Sequence, residues 1–211
     1  AGSAAVGIAD LVCQQMVREG LTMEEGRKRC WLVNSRGLVT SDTTGLSEFQ
    51  QPFAHPHAPL KDLHDIVRAV KPTALIGVST IAKAFNERVI RAMAEINQRP
   101  VIFPYSNPTS KSECTAQEAI EWSDGRAIFA SGSPFAPLHY KGRLYVPGQG
   151  NNVYIYPAVG LAVYATQASR VTDEMFLRAA ESLAGQTTDE DLSVNLIYPP
   201  VSNIFRTSVQ V

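Results

Sequence analysis

Short apolar runs alternate with segments of helical periodicity along this chain, and that alternation leaves few architectures open. Thr73-Ala74-Leu75-Ile76-Gly77-Val78-Ser79 is a continuous apolar run ending in small residues, the pattern of a buried parallel strand. Pro100-Val101-Ile102-Phe103 and Arg126-Ala127-Ile128-Phe129-Ala130 read the same way, and so does Trp31-Leu32-Val33-Asn34, which Ser35-Arg36-Gly37 closes. Between these runs, Leu63, Ile66, Val67 and Val70 recur at helical spacing, as do Val89, Ile90, Met93 and Ile96. A further helix passes through Ala119 and Trp122, with Ser112 or Thr115 as its cap and Gly125 as its stop. Strand, helix, strand in repetition predicts an α/β fold built on a doubly wound parallel sheet. Such sheets bind ligands beyond the carboxyl ends of their strands.

The first residues sharpen that expectation. Ala1-Gly2-Ser3-Ala4-Ala5-Val6-Gly7-Ile8-Ala9 is crowded with small residues and runs into an apolar helix face made by Ile8, Leu11, Val12 and Met16. A small-residue turn at a helix N-terminus presents backbone N–H groups to a pyrophosphate. Gly2 matches the second glycine of the Rossmann-like dinucleotide fingerprint and Ala5 its small third position. The first glycine and the strand before it would precede Ala1, so the sheet is expected to be truncated before its first strand. Small residues at a helix start also serve plain packing. Thr22 and Glu25 form a capping-box pattern for a second short helix.

Composition excludes several partner classes. The chain has 211 residues, of which 45% are hydrophobic and 18% charged, with a formal net charge of −1. That is material for a packed core, and without a basic cluster nucleic acid is not an expected partner. No apolar run reaches bilayer-spanning length, so no membrane partner is expected either. Cys13, Cys30 and Cys114 are odd in number and lack metal-ligand spacing, which fits free thiols in a reducing compartment. His55 and His57, on a proline-rich polar loop over residues 40–59, are expected to be solvated rather than metal-bound.

Three further places carry candidate chemistry. Dinucleotide folds place an acidic residue at the end of the second strand to accept from the adenosine ribose. Here the segment is Asn34-Ser35-Arg36, neutral and then basic, which leans towards a 2′-phosphate and NADP; an ordinary polar turn is the alternative. Asn107, held away from the α region by Pro108, projects an amide from a strand's carboxyl end, or else marks a plain turn. Gly148-Gln149-Gly150-Asn151-Asn152 precedes an apolar helix from about Val153 to Ala168 and presents two amide side chains, of which capping accounts for one. Thr172 caps a further amphipathic helix, and Leu138 to Val146 resembles a small hairpin.

Taken together, four stretches resemble the cofactor-binding domain of malic enzymes: Gly2 to Ala9, Ser106-Asn107-Pro108-Thr109, Gly125 to Phe135, and Gly148 to Asn152. Leu196-Ile197-Tyr198-Pro199-Pro200 adds to the likeness, which covers essentially the whole chain. The resemblance implies oxidative decarboxylation of L-malate to pyruvate and CO2 with NAD or NADP and Mg or Mn. It further implies that Gly2, Ser3, Ala4 and Ala5 meet the pyrophosphate, and that Asn34, Ser35 and Arg36 lie at the adenosine ribose. It sets Ser79 near the cofactor, Asn107 near both nicotinamide ribose and malate, and Asn151 or Asn152 at a malate carboxylate. The family's acidic ribose position is Asn34 here, and a lysine that some NADP-using members carry is replaced by Gln50-Gln51-Pro52, so the choice between NAD and NADP stays open with a lean to NADP. The family's catalytic lysine, tyrosine and carboxylate metal ligands lie ahead of this stretch, so no catalytic or metal-binding residue is assigned. Residues 1–211 are then expected to be one domain, incomplete at both ends, inactive in isolation and homo-oligomeric when full length. Two other readings are an amino-acid dehydrogenase's nucleotide domain and a non-catalytic nucleotide-binding module. The family reading requires Asn107 and Asn151 or Asn152 to share a cleft with the turn at Gly2.

Overall fold

The computed structural model describes residues 1–211. Its centre is a four-stranded, all-parallel sheet of β3 (Ala74–Gly77), β4 (Val101–Pro104), β5 (Ile128–Ser131) and β8 (Gly148–Gln149), in that spatial order. Parallel neighbours need a crossover. α4 (Glu87–Ile96) supplies it from β3 to β4, and α5 (Ala116–Trp122) from β4 to β5. The step from β5 to β8 is made by an antiparallel hairpin, β6 (Leu138–Tyr140) and β7 (Arg143–Tyr145), turning at Lys141-Gly142. Both turn residues have positive φ, 48° and 76°, the requirement of the tight hairpin turn that follows the strands' twist.

One core holds this unit together. Val67 of α3 (Leu63–Val70) packs with Val89, Ile90 and Met93 of α4, Ile120 of α5, Ile102 of β4 and Phe129 of β5. The helices begin where local chemistry dictates. Asp62 caps α3 by accepting from His64 N and Asp65 N, Asn86 caps α4, and Thr115 with Glu118 closes a capping box on α5. Of the two candidate caps, Ser112 and Thr115, it is Thr115 that serves.

A second, smaller cluster lies under the first helices. α1 (Ser3–Arg18) buries Ala9 and Cys13 against Leu32, Val39 and Phe53. α2 (Met23–Arg29) starts on the Thr22–Glu25 capping box, as its sequence predicts. Gly26 of α2 lies against Cys13, whose Cβ would stand 3.3 Å from a methyl group there.

Several expectations are corrected. Trp31-Leu32-Val33-Asn34 is not a strand of the parallel sheet: only β1 (Val33–Asn34) is extended, paired antiparallel with β2 (Gly37–Leu38). The chain reverses over Ser35-Arg36, between the paired Asn34 and Gly37, and Trp31 uses its face to stack on His55 at 3.9 Å between ring centroids. That stacking buries His55, which is 7% exposed and bonded to the Cys30 carbonyl at 2.8 Å, so it is not solvated. β3 is parallel as expected but not buried, because it is the outer strand of the sheet and leaves Ala74 and Ile76 exposed. β8 is a strand the sequence does not announce. The apolar helix, α6 (Tyr156–Thr166), starts later than expected, after a 3-10 turn at Asn152–Tyr154. α7 (Asp173–Ala184) begins at Thr172 as expected. α8 (Asp189–Ser193) is unanticipated, and α9 (Ile204–Gln210) follows Pro199-Pro200.

Candidate nucleotide and substrate site

The carboxyl ends of β3, β4, β5 and β8 meet along one edge, and hydrogen bonds stitch their loops together. Ser79 follows β3, Asn107 follows β4, Ser133 follows β5, and Asn151 follows β8. The Ser133 hydroxyl donates to Asn107 Oδ1 at 2.6 Å. That engages the acceptor end of the Asn107 amide, while its NH2 group makes a long bond to the Tyr105 carbonyl at 3.5 Å and has a second hydrogen to give. Gln149 Nε2 donates to the Gly132 carbonyl at 3.1 Å, and Gly150 N to Ser131 O at 2.9 Å, which fixes the Asn151 turn to the loop that holds Asn107. Asn107 is itself exposed, and the Asn107–Pro108 peptide bond is cis.

The paired asparagines divide their work. Asn151 Oδ1 accepts from Val153 N at 2.9 Å and so caps its own turn. The Asn152 side chain is exposed and makes no hydrogen bond within the chain. Behind this turn stands a tyrosine cluster. The Tyr105 and Tyr198 hydroxyls are 2.9 Å apart, Tyr154 stacks on Tyr198 at 5.8 Å, and Tyr154 donates to the Pro199 carbonyl. Burial, reinforced by the Tyr198 hydroxyl, pushes the Tyr105 phenol well above its ordinary range, so it is neutral. A methyl group at Gly150 would come within 2.7 Å of the Tyr105 ring, which is why the turn carries glycine.

A second group of candidate residues forms where α1 begins. Gly2 is the α1 N-cap in extended conformation with no side-chain cap, so the helix's first N–H groups face outwards unclaimed by a side chain. A methyl at Gly2 would meet nothing within 4 Å. Ser3 and Ala4 are exposed, while Ala5 is half-buried against the small core. The Ala1 amine donates to Val33 O at 2.6 Å, which brings this turn beside Asn34-Ser35-Arg36. Asn34 Oδ1 accepts from Arg36 N at 2.8 Å, so it shapes the turn as well as presenting an amide. Arg36 is exposed and donates to Thr44 O at 2.8 Å. Thr43 and Gly45, on either side of Thr44, line a polar cavity of about 420 Å³ with Ser41 and Gln51. The structure therefore forms two groups, one of Gly2 to Ala5 with Asn34 to Arg36, the other of Ser79, Asn107, Asn151 and Asn152. No hydrogen bond joins them.

One group was not legible at all. Glu113 is fully buried at the carboxyl edge. Its Oε1 accepts from Ser79 N at 2.9 Å, Ser79 Oγ at 2.8 Å and Ser106 Oγ at 2.5 Å. In the sequence it sits in Ser112-Glu113-Cys114 and reads as an ordinary surface charge.

Asp62, His64 and Asp65 place ligand atoms within 4.8 Å of one another, the one such grouping of potential metal ligands. They do not fit a divalent ion. Asp62 Oδ1 is engaged in capping α3, and His64 Nδ1 lies 3.3 Å from both Asp65 and the Arg88 guanidinium.

Comparison with known proteins shows the family. The family model described as malic enzyme, NAD binding domain, matches residues 1–211. NADP-dependent malic enzyme of Populus trichocarpa is 52% identical over 213 residues, covering 100% of this chain and 36% of that protein. The Vitis vinifera protein of the same name is 51% identical with the same coverage. The chloroplastic NADP-dependent malic enzyme of Oryza sativa subsp. japonica is 49% identical over 100% of this chain and 33% of its own length. This chain thus spans 36% or so of the length of the curated relatives it matches.

Proposed function

Since this chain belongs to the malic enzyme family as its NAD-binding domain, we propose that it is the nucleotide-holding part of an enzyme that oxidatively decarboxylates L-malate to pyruvate and CO2 with NADP. The observation that carries the proposal is the family match over all of 1–211, combined with a parallel sheet whose carboxyl edge gathers Ser79, Asn107 and Asn151. In this reading the α1 turn at Gly2, Ser3, Ala4 and Ala5 receives the pyrophosphate through backbone N–H groups, aided by the helix dipole. The uncapped start and the open space at Gly2 support it. Asn34, Ser35 and Arg36 take the adenosine ribose, with the Arg36 guanidinium on the 2′-phosphate. The NADP-dependent names of the relatives support that choice over NAD.

When bound, the cofactor supplies the hydride acceptor for C2 of malate. This chain's residues orient rather than react. Asn107 donates its NH2 to a substrate or ribose oxygen, and Asn152, whose amide is free, donates to a malate carboxylate with Asn151 holding the turn. Acid–base groups and the Mg or Mn donors are assigned to no residue here, and the isolated chain is proposed to be inactive with malate. Exposed apolar side chains, Leu161 and Tyr164 of α6 with Phe205 and Val209 of α9, support a covered surface in the intact protein and fit a homo-oligomer. The three free cysteines fit a reducing compartment.

Titration of the intact protein with NADP and NAD tests this. Arg36→Ala should weaken NADP binding about tenfold and leave NAD binding unchanged. An intact protein that binds neither nucleotide, or turns over no malate with NADP and Mn, refutes the proposal.

A further inference from the structure

Glu113 is a buried carboxylate to which two neighbouring loops of the carboxyl edge are both fastened. From β3's loop it receives Ser79 N and Ser79 Oγ, and from β4's loop Ser106 Oγ, with Ser106 N at 3.4 Å from Oε2. Each serine passes the hold onward. Thr80 N donates to Ser106 Oγ at 2.8 Å, and Ile81 N to Ser79 Oγ at 3.2 Å. Thr80 has φ 58°, a left-handed conformation that a β-branched residue adopts only when its surroundings over-determine it. The two bonds from Thr80 and Ile81 both run back to Glu113. Gly77 completes the arrangement, since a methyl there would lie 2.5 Å from Glu113 Cδ. Burying a carboxyl group is unfavourable unless donors satisfy its oxygens, and here both loops supply them.

We propose that Glu113 is a positioning residue for the nicotinamide half of the cofactor, setting the shape of the Ser79–Ile81 loop and of Ser106 immediately before Asn107. The inference rests on the reading of Ser79 and Asn107 as cofactor contacts. Main-chain bonds from Lys83 N to Ser112 O and from Phe85 N to Glu113 O do not involve the carboxylate, so they survive its removal and keep the scaffold. Substitution of Glu113 therefore acts first on the loop.

The experiment is binding of NADP and of 2′,5′-ADP, an adenosine-end fragment, to the intact protein and its Glu113→Ala and Glu113→Gln variants. Glu113→Ala should lose about tenfold or more in NADP affinity, the scale of one strong hydrogen-bonded contact, while 2′,5′-ADP binding stays within about twofold. Glu113→Gln, which keeps the oxygen that three donors share, should recover most of the loss. If Glu113→Ala does not fold, Ser106→Ala, which removes a hydroxyl that Glu113 holds and is not itself read as a cofactor contact, decides the matter by the same selective loss, with 2′,5′-ADP as its control. NADP affinity unchanged in these variants, equal loss of both ligands, or no recovery in Glu113→Gln overturns the inference. Failure of the unaltered protein to bind either ligand would instead refute the nucleotide reading itself.

Discussion

Replacing Gly132 by alanine should damage the site from within the sheet. Gly132 follows β5, and its φ is not in the left-handed region, so alanine is acceptable to its backbone. The obstacle is space. A Cβ there would lie 2.8 Å from the Tyr105 carbonyl carbon and 2.8 Å from Asn107 Nδ2, and closer still to the Tyr105 carbonyl oxygen. Tyr105 cannot retreat easily, because its N–H donates to Gly77 O at 2.7 Å, while Gly132 N donates to Pro104 O at 3.1 Å. Forcing one extra carbon into a tight site costs about 1–3 kcal/mol. Loss of the Gly132–Pro104 or Ser133–Asn107 bond adds about 1 kcal/mol, for a total of roughly 2–4 kcal/mol. At about 2–4 °C per kcal/mol for a chain of this size, Tm should fall by about 4–16 °C. Thermal melting by circular dichroism reads the stability, and NADP titration at a temperature where the variant is folded reads the displaced Asn107. A variant that melts within a degree or so of the parent and binds NADP equally well would refute the reasoning.

Gly160→Ala should act in the opposite direction. Gly160 is exposed inside α6 with nothing within 4 Å of the new methyl, so the helix should gain about 0.5–1 kcal/mol and a higher Tm; a lower Tm contradicts this. Burial, with Cys13 3.7 Å away, pushes the Cys30 thiol from 9.0 up to about 12. Between those values the unfolded chain has released a proton that the folded chain keeps, so this group's contribution to stability is intact below pH 9 and is lost as pH rises towards about 12. Urea unfolding across that range should show the decline, and it should be shallower in Cys30→Ala; identical slopes would exclude the thiol as the cause.

What the sequence disclosed is what local chemistry determines. The capping box at Thr22 needs only a residue three further on and is present in the fold; Thr115 was one of two candidate caps, and the box that Thr188 forms with Asp191 was not read. The strands β4 and β5 carry their own apolar signal, and Ile102 and Phe129 pair in register at the centre of the sheet. β8 has just two residues, and its identity as a strand comes entirely from Ala130 and Ser131 opposite it. The same limit applies to His55, buried because Trp31 lies across it, and to Glu113, whose partners are up to 34 residues away. Asn107 and Asn151 were recognisable as amides at suggestive places, but the bond that turns the Asn107 amide comes from Ser133, which nothing nearby in the sequence signals.

The adjacent asparagines at the foot of α6 are chemically alike and structurally unequal. An aspartate at 151 would still accept the Val153 N–H and could keep the bend intact. One position further on, the same substitution would set a negative charge where the proposed function puts a dicarboxylate's own. Tolerance of acid should therefore switch from one residue to the next, and a doublet that looks redundant in one dimension becomes, in three, a hinge pin beside an open hand.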